Sequence, residues 1–252
     1  MRSAAKQLIV DPTFYPETDD MGVGELQQLM REMLRPMLAR FLAERGIVAH
    51  VGSNQFIYWQ QFAPTRSIAP DIYVLPGVPQ SRVEKIWKLW EESVVPSFCL
   101  EIASNDFHTD YVAIPNACDE IGVSELIVYD PEPGGDDERI TWQVFRRGSK
   151  RARLEQVLRT DAASVRSTQL GCWLTVVGKG DERRLRVARD AAGRDLYPTA
   201  AEVAAAARDA ENAARDALRR ETATRESLEV EVERLRAELA VAQGRKRKPT
   251  RR

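Results

Sequence analysis

Two stretches decide how this chain is read: Ala69-Pro70-Asp71-Ile72-Tyr73-Val74-Leu75, and further along Ser97-Phe98-Cys99-Leu100-Glu101-Ile102-Ala103-Ser104. Both are short, apolar and rich in β-formers, so both are expected as strands. Side chains alternate along a strand, which puts Ile72 and Val74 on one face and Asp71, Tyr73 and Leu75 on the other. In the second stretch Phe98, Leu100 and Ile102 share one face, with Cys99, Glu101 and Ala103 opposite. Each stretch therefore carries one carboxylate where a buried strand would have none. A carboxylate in such a place must be paired, hydrogen-bonded or bound to a metal, because burying it bare is too costly. Two on adjacent strands would form an oxygen-rich pocket suited to a hard divalent cation such as magnesium. The plainer alternative is that Asp71 caps a strand end and Glu101 pairs with an arginine, since ion-pair networks also place such groups.

Composition narrows the setting without naming a function. The chain has 252 residues, with 37 Lys+Arg against 38 Asp+Glu and a formal net charge of −1. That balance alone marks neither a strong nucleic-acid binder nor a membrane-surface protein. The cysteines Cys99, Cys118 and Cys172 are far apart and odd in number, which suggests a reducing compartment rather than a disulfide framework. His50 and His108 make no recognised zinc spacing with them. No apolar run reaches membrane-spanning length, so a cytoplasmic protein without a membrane partner is expected.

Around the two strands the pattern is mixed. Residues 1–21 read as an extended lead-in. A helix is expected from about Gly24 to Arg45, where Leu26, Met30, Met33, Leu34, Met37, Leu38, Phe41 and Leu42 recur at three- and four-residue steps, with Pro36 an awkward interior residue. Strands follow at about 47–51 and 55–59, joined as a hairpin through Gly52-Ser53-Asn54, and a short helix is expected over Arg82–Glu92. A polar loop (Asn105–Thr109), a helix (Asp110–Ile121) and a strand (Glu125–Tyr129) come after Glu101. This strand–helix–strand order implies that the Glu101 and Leu126 strands pair in parallel. Antiparallel strands are expected to Val187, with Arg146, Arg147, Lys150 and Arg151 around one turn, read as a solvated tip or as a phosphate contact.

After Tyr197-Pro198 the composition changes. Residues 199–243 are alanine-, glutamate- and arginine-rich, and Leu228, Val232, Leu235, Leu239 and Ala242 keep the four–three spacing of a two-stranded coiled coil, so a homodimer through this helix is one expectation and a lone solvated helix another. The tail 244–252 holds Arg245, Lys246, Arg247 and Lys248 and could attract nucleic acid without regard to sequence.

Together these fragments resemble the Uma-type restriction endonuclease family of the PD-(D/E)xK nuclease superfamily. The resemblance covers most of residues 22–190 and rests on several blocks in order. These are the leucine-rich first helix, Val51-Gly52-Ser53-Asn54-Gln55-Phe56-Ile57-Tyr58, Ala69-Pro70-Asp71 through Pro79, Trp87-Lys88-Leu89-Trp90-Glu91, Leu100-Glu101-Ile102-Ala103-Ser104, and Gly122-Val123-Ser124-Glu125-Leu126 with Asp130-Pro131. It implies a mixed α/β domain, a sheet flanked by helices, that hydrolyses DNA phosphodiester bonds with Mg2+, or with Mn2+ in its place. Asp71 and Glu101 would hold the metal, joined by the Ile102 carbonyl and by Glu25 from the first helix. One departure stands out. The lysine that usually completes such a site falls on Ala103, or in many members on Ile114, and no lysine occurs between Lys88 and Lys150. His108, Lys85 or Lys88 would have to substitute. Otherwise the chain is a catalytically degenerate nuclease-fold module that self-associates and binds nucleic acid or a protein.

Overall fold

The computed structural model describes residues 12–15, 25–104, 106–134, 139–149 and 152–246. They fall into two compact units, one ending at Thr199 and one beginning at Ala200. The first is a mixed α/β body; the second is a single helix.

The body is built on a six-stranded sheet. Its strands are β1 (Ala49–Gly52), β4 (Ile72–Pro76), β6 (Phe98–Ile102), β7 (Glu125–Tyr129), β8 (Trp142–Arg147) and β9 (Leu154–Thr160), lying side by side in that order. β4 pairs antiparallel with β6, and β6 pairs in parallel with β7 across the helical crossover, as the strand–helix–strand order requires. The alternation read from sequence is realised on both faces. Ile72, Val74, Phe98, Leu100 and Ile102 pack into one core under the helix α1 (Glu25–Glu44), where a three-stranded sheet of β10 (Ser164–Ser167), β11 (Cys172–Val177) and β12 (Arg184–Ala188) adds Val165, Leu174, Leu185 and Val187. Tyr73, Leu75, Cys99 and Ala103 pack into a second core on the other face. It is closed by α3 (Ile114–Ile121) and by a small sheet of β2 (Ile57–Tyr58), β3 (Ser67–Ile68) and β5 (Trp87–Lys88). Strands covered on both faces are apolar on both faces, which is why β4, β6 and β7 read as near-continuous hydrophobic runs.

α1 runs through Pro36 over 20 residues, and its buried residues (Met30, Leu34, Met37, Leu38, Phe41 and Leu42 among them) form the stripe expected from the spacing. Three sequence expectations need correction. Gly52-Ser53-Asn54 does not turn a hairpin: β1 pairs with β4, whereas β2 pairs with β3 and β5 in another sheet. Burial chose the partner, because β1 is covered along its whole length and needs the central sheet beside it. Arg82–Glu92 is not one helix either. Trp87 donates its main-chain N–H to Phe56 and its indole N–H to Val94, which draws the segment into β5, and only the single turn α2 (Leu89–Glu92) remains helical. The helix expected from Asp110 opens instead as a π-turn, Thr109–Ala113, before α3 begins. Such widened turns are rare and sit disproportionately at functional sites. The lead-in 1–21 lies outside the described residues except for 12–15.

Gly52 shows how tightly β1 meets β4. It faces Tyr73 in the register, and a Cβ added there would lie 2.0 Å from the ζ carbon of that ring, inside the van der Waals envelope. Tyr73 is buried and donates its hydroxyl to Gln55, so the ring has nowhere to retreat. Gly52→Ala is expected to lower unfolding stability by about 1–3 kcal/mol, measured by urea denaturation, and pairing it with Tyr73→Leu should recover part of the loss.

Candidate functional site

The β4–β6 pairing places the two carboxylates. Ile72 faces Leu100 and Tyr73 faces Cys99, so one step back along β4 is Asp71 and one step on along β6 is Glu101. The Asp71 main-chain N–H points at Glu101 Oε2 at 3.5 Å, and Asp71 Oδ2 accepts the Ile102 N–H at 2.7 Å. Asp71 is 5% exposed, and Glu101 is partly buried. Residues thirty positions apart thus meet at one end of the strand pair.

α1 supplies the neighbours. Gln27, Arg31 and Arg35 recur every fourth residue and so lie on one stripe of the helix, beside the apolar stripe. Gln27 Nε2 donates to the Ile102 carbonyl at 2.7 Å, Arg31 Nη1 reaches Asp71 Oδ1 at 2.8 Å, and Arg35 Nε donates to the Val51 carbonyl at 3.2 Å. The Arg31–Asp71 pair is nearly dry, with side chains 10% and 7% exposed. Glu25 sits about 200° round the helix from Gln27, is exposed, and contributes no contact to the pair. What α1 brings to the carboxylates is therefore an amide and a guanidinium rather than a third acid.

A third carboxylate does arrive, from the π-turn. Asp110 is 4% exposed and its Oδ2 accepts both the Ser104 N–H (2.6 Å) and the Ser104 hydroxyl (2.9 Å). Arg139 ties the same loop down: Nη2 donates to the Ser104 carbonyl at 3.1 Å while Nε pairs with Asp130 at 2.6 Å. Burial pushes the Asp71 carboxyl up to about 6, against the opposing pull of the Ile102 N–H and Arg31, with Asp110 adding repulsion. Burial likewise raises Glu101 well above the usual carboxylate range, and repulsion from Asp71 and then Asp110 adds to it. Asp110 itself is raised by burial, held back by its bonds to Ser104. Burial thus opposes ionisation of all three carboxyls, and neighbouring carboxylates add to it.

That donor set can be tested against magnesium. Among the described residues no three or more His, Cys, Asp and Glu side chains gather as a ligand cluster. Two neighbouring carboxylates fit a cation that takes one or two protein oxygens and completes its shell with water and substrate phosphate, which is how Mg2+ is usually held. Asp71 and Glu101 meet that description. Ile102 offers its carbonyl with one lone pair already directed to Gln27, and Glu25 stands outside the group.

Other expected site residues fall elsewhere. His108 is exposed and lies beside Asp106. Lys88 pairs with Glu91 at 3.2 Å and lies over the Tyr15 ring, so it does not swing in. Ala103 and Ile114, where the resemblance would place a lysine, are buried in the second core. Arg146 is engaged within the fold by Glu125 (2.8 Å) and the Arg166 carbonyl (2.6 Å). Arg147 is engaged too, donating to the carbonyls of Val123, Asp119 and Ala152 and pairing with the Asp119 carboxylate. Both thus serve the packing of β7, β8 and α3. Lys150, Arg151, Arg247 and Lys248 lie outside the described residues, as do the side chains of Arg245 and Lys246. Sequence reading missed Arg31, Gln27 and Asp110. The four-residue recurrence of Gln27, Arg31 and Arg35 along the helix flank was the available signal; nothing local marked Asp110.

Arg31 also opens onto a cleft of about 820 Å3 between α1 and the segment after β1, lined by Gln28, Arg35, Ser53, Asn54 and Gln80, with Glu32 its acidic member. No described helix is long and apolar enough to cross a membrane.

No family model matches the chain, and no curated protein matches it. Among solved structures it is similar to a candidate nuclease belonging to DUF820 from Anabaena variabilis ATCC 29413, at 18% identity and a TM-score of 0.40, over 60% of this chain and 75% of the other. A likeness that distant transfers no chemistry, so the functional reading has to come from the site itself.

The pH dependence of stability tests the charge crowding. A carboxyl whose folded pKa lies above its unfolded value stabilises the fold fully below the unfolded value and loses that contribution as pH rises through the folded one. Glu101→Gln removes such a group without changing shape. In chelator its melting temperature should match wild type near pH 4 and exceed it near pH 8, by about 2–4 °C for each kcal/mol recovered. Carboxyls lowered by hydrogen bonds, such as Asp161 and Asp190, run the opposite way but cancel in the comparison.

Proposed function

We propose that the chain is a metal-dependent endonuclease that hydrolyses DNA phosphodiester bonds at the Asp71–Glu101 pair, with Mg2+ held by those two side chains and Mn2+ able to replace it. The observation that carries this reading is the meeting of Asp71 and Glu101 across β4 and β6, with a buried guanidinium beside them. The Ile102 N–H orients Asp71, and Gln27 holds the strand end that presents both acids. When bound, the cation would polarise a phosphoryl oxygen and lower the pKa of a water molecule. Asp71 and Glu101 must both lose their protons to take part, and burial raises both, so metal affinity and cleavage should rise with pH. Arg31 supplies the positive charge that the chain lacks at Ala103 and Ile114, and it faces the polar cleft where a phosphate backbone can lie. A guanidinium carries a permanent, delocalised charge and a planar fork of donors, suited to bidentate contact with phosphate oxygens.

One observation favours the degenerate nuclease-fold reading. Arg31 already occupies Asp71 Oδ1 at 2.8 Å, which is an oxygen the metal would need. The two readings part on one experiment. Supercoiled and linear DNA are incubated with Mg2+ or Mn2+, using wild type, Glu101→Ala and Arg31→Ala. The nuclease reading expects cleavage that chelator abolishes and that each variant lowers by about a hundredfold or more. Equal background nicking by all three proteins removes it and leaves the degenerate one.

A further inference from the structure

The second unit is the helix α4 (Ala200–Lys246), 47 residues long, and every side chain described along it is exposed. A helix this long without a buried face gains nothing from tertiary packing, which is where most helical stability in proteins originates. It does carry an apolar stripe: Leu228, Val232, Leu235 and Leu239 are between 45% and 60% exposed. We propose that this stripe is the interface with a second copy of the chain, and that the two helices run antiparallel with Arg225 of one facing Glu221 of the other.

The register follows from the residues upstream. Continuing the four–three spacing back from Leu228 passes through Arg225, Glu221, Leu218, Ala214, Glu211, Ala207 and Ala204. A parallel, in-register pair would set each of these against itself. Glu211, Glu221 and Arg225 would then give three like-charge layers inside the seam. The gain in return is a rim pair between Glu231 and Arg236. Rim pairs contribute little, whereas like charges facing each other in an interface are costly.

Reversing one helix about the Arg225–Glu221 layer changes every partner. Arg225 and Glu221 become opposite charges, twice over by symmetry. Leu228 then meets Leu218, Val232 meets Ala214, Leu239 meets Ala207 and Ala242 meets Ala204. Three large side chains from the apolar half thus pack on small or apolar ones from the alanine-rich half, which is how facing layers interdigitate. On the rim, Glu229 of one copy comes beside Arg215 of the other. Within its own helix Glu229 already holds Arg225 at 3.0 Å, so the charges alternate through the layer. The register also carries a cost: it leaves Glu211 in the seam opposite Leu235, a mismatch milder than a like-charge layer, and it sets Arg208 near Arg236 on the rim, where long side chains can extend to water. The alanine-rich half, which has no apolar seam of its own, acquires a purpose as the counter-surface of the leucine half.

The test uses the full chain and introduced cysteines; the native ones are all buried. Light scattering should give twice the 28.5 kDa of one chain. Under mild oxidation Leu218→Cys mixed with Leu228→Cys should give a covalent dimer, while either variant alone should not. A monomer in solution overturns the proposal, and so does self-cross-linking of Leu228→Cys alone, which reports a parallel pair. Because a cysteine in the seam could weaken the pair, charge reversal gives a second measurement. Glu221→Arg should weaken dimerisation at least about tenfold, and Glu221→Arg with Arg225→Glu should restore it. Failure of the double reversal to restore it overturns the register. A dimer that survives Glu221→Arg undiminished does the same.

Discussion

The body depends on one contact between charged groups in a dry place: the guanidinium of Arg31 against the carboxylate of Asp71. Asp71 sits at the mouth of the central sheet, where main-chain groups of β4 and β6 end and the covering helix passes over them. Without a cation there, an ionised aspartate next to Glu101 and Asp110 would meet burial and repulsion together, and Asp71 is already pushed up to about 6. Removing one partner of a buried pair typically costs about 3–5 kcal/mol, so helix α1 and the strand ends are coupled through this bond. It joins the helix that covers the first core to the strands that supply the acids.

Charge crowding of this kind is poor for stability and useful for binding. An apolar end to the strands would be tighter. Two acids whose protons are hard to remove are held close because the main chain of Ile102 and the side chain of Gln27 leave them little freedom. The loop after β6 is fixed just as firmly, through Ser104, Asp110, Arg139 and Asp130. The widened turn at Thr109–Ala113 is what brings Asp110 inward. By contrast Arg146 and Arg147, at the end of β8, are engaged within the fold by β7 and α3.

Much of the body was legible because alternation and helical period are local signals. The strands around Asp71 and Glu101, the apolar stripe of α1 and the parallel crossover into β7 all follow from which residues must be covered. The errors occurred where two short segments had several partners to choose from. Gly52-Ser53-Asn54 has the composition of a turn, yet β1 is buried along its length and takes β4 instead of β2. Ile86, Trp87, Leu89 and Trp90 can form the apolar face of a helix, yet the Phe56 carbonyl captures the Trp87 N–H. Neither competition is visible within a window of a few residues.

At the site the division is equally physical. The sequence by itself determined that two carboxylates lie in strand-like stretches with apolar neighbours, that no lysine occurs between Lys88 and Lys150, and that a long charged helix follows residue 199. Only the tertiary structure decided that Asp71 and Glu101 meet, that Arg31 pairs with Asp71, and that Asp110 is buried on the π-turn while Glu25 is exposed on α1. Sequence spacing fixes which face of an element a side chain occupies. Which two faces come together is set by burial of the whole body, and that is a long-range quantity no local pattern contains.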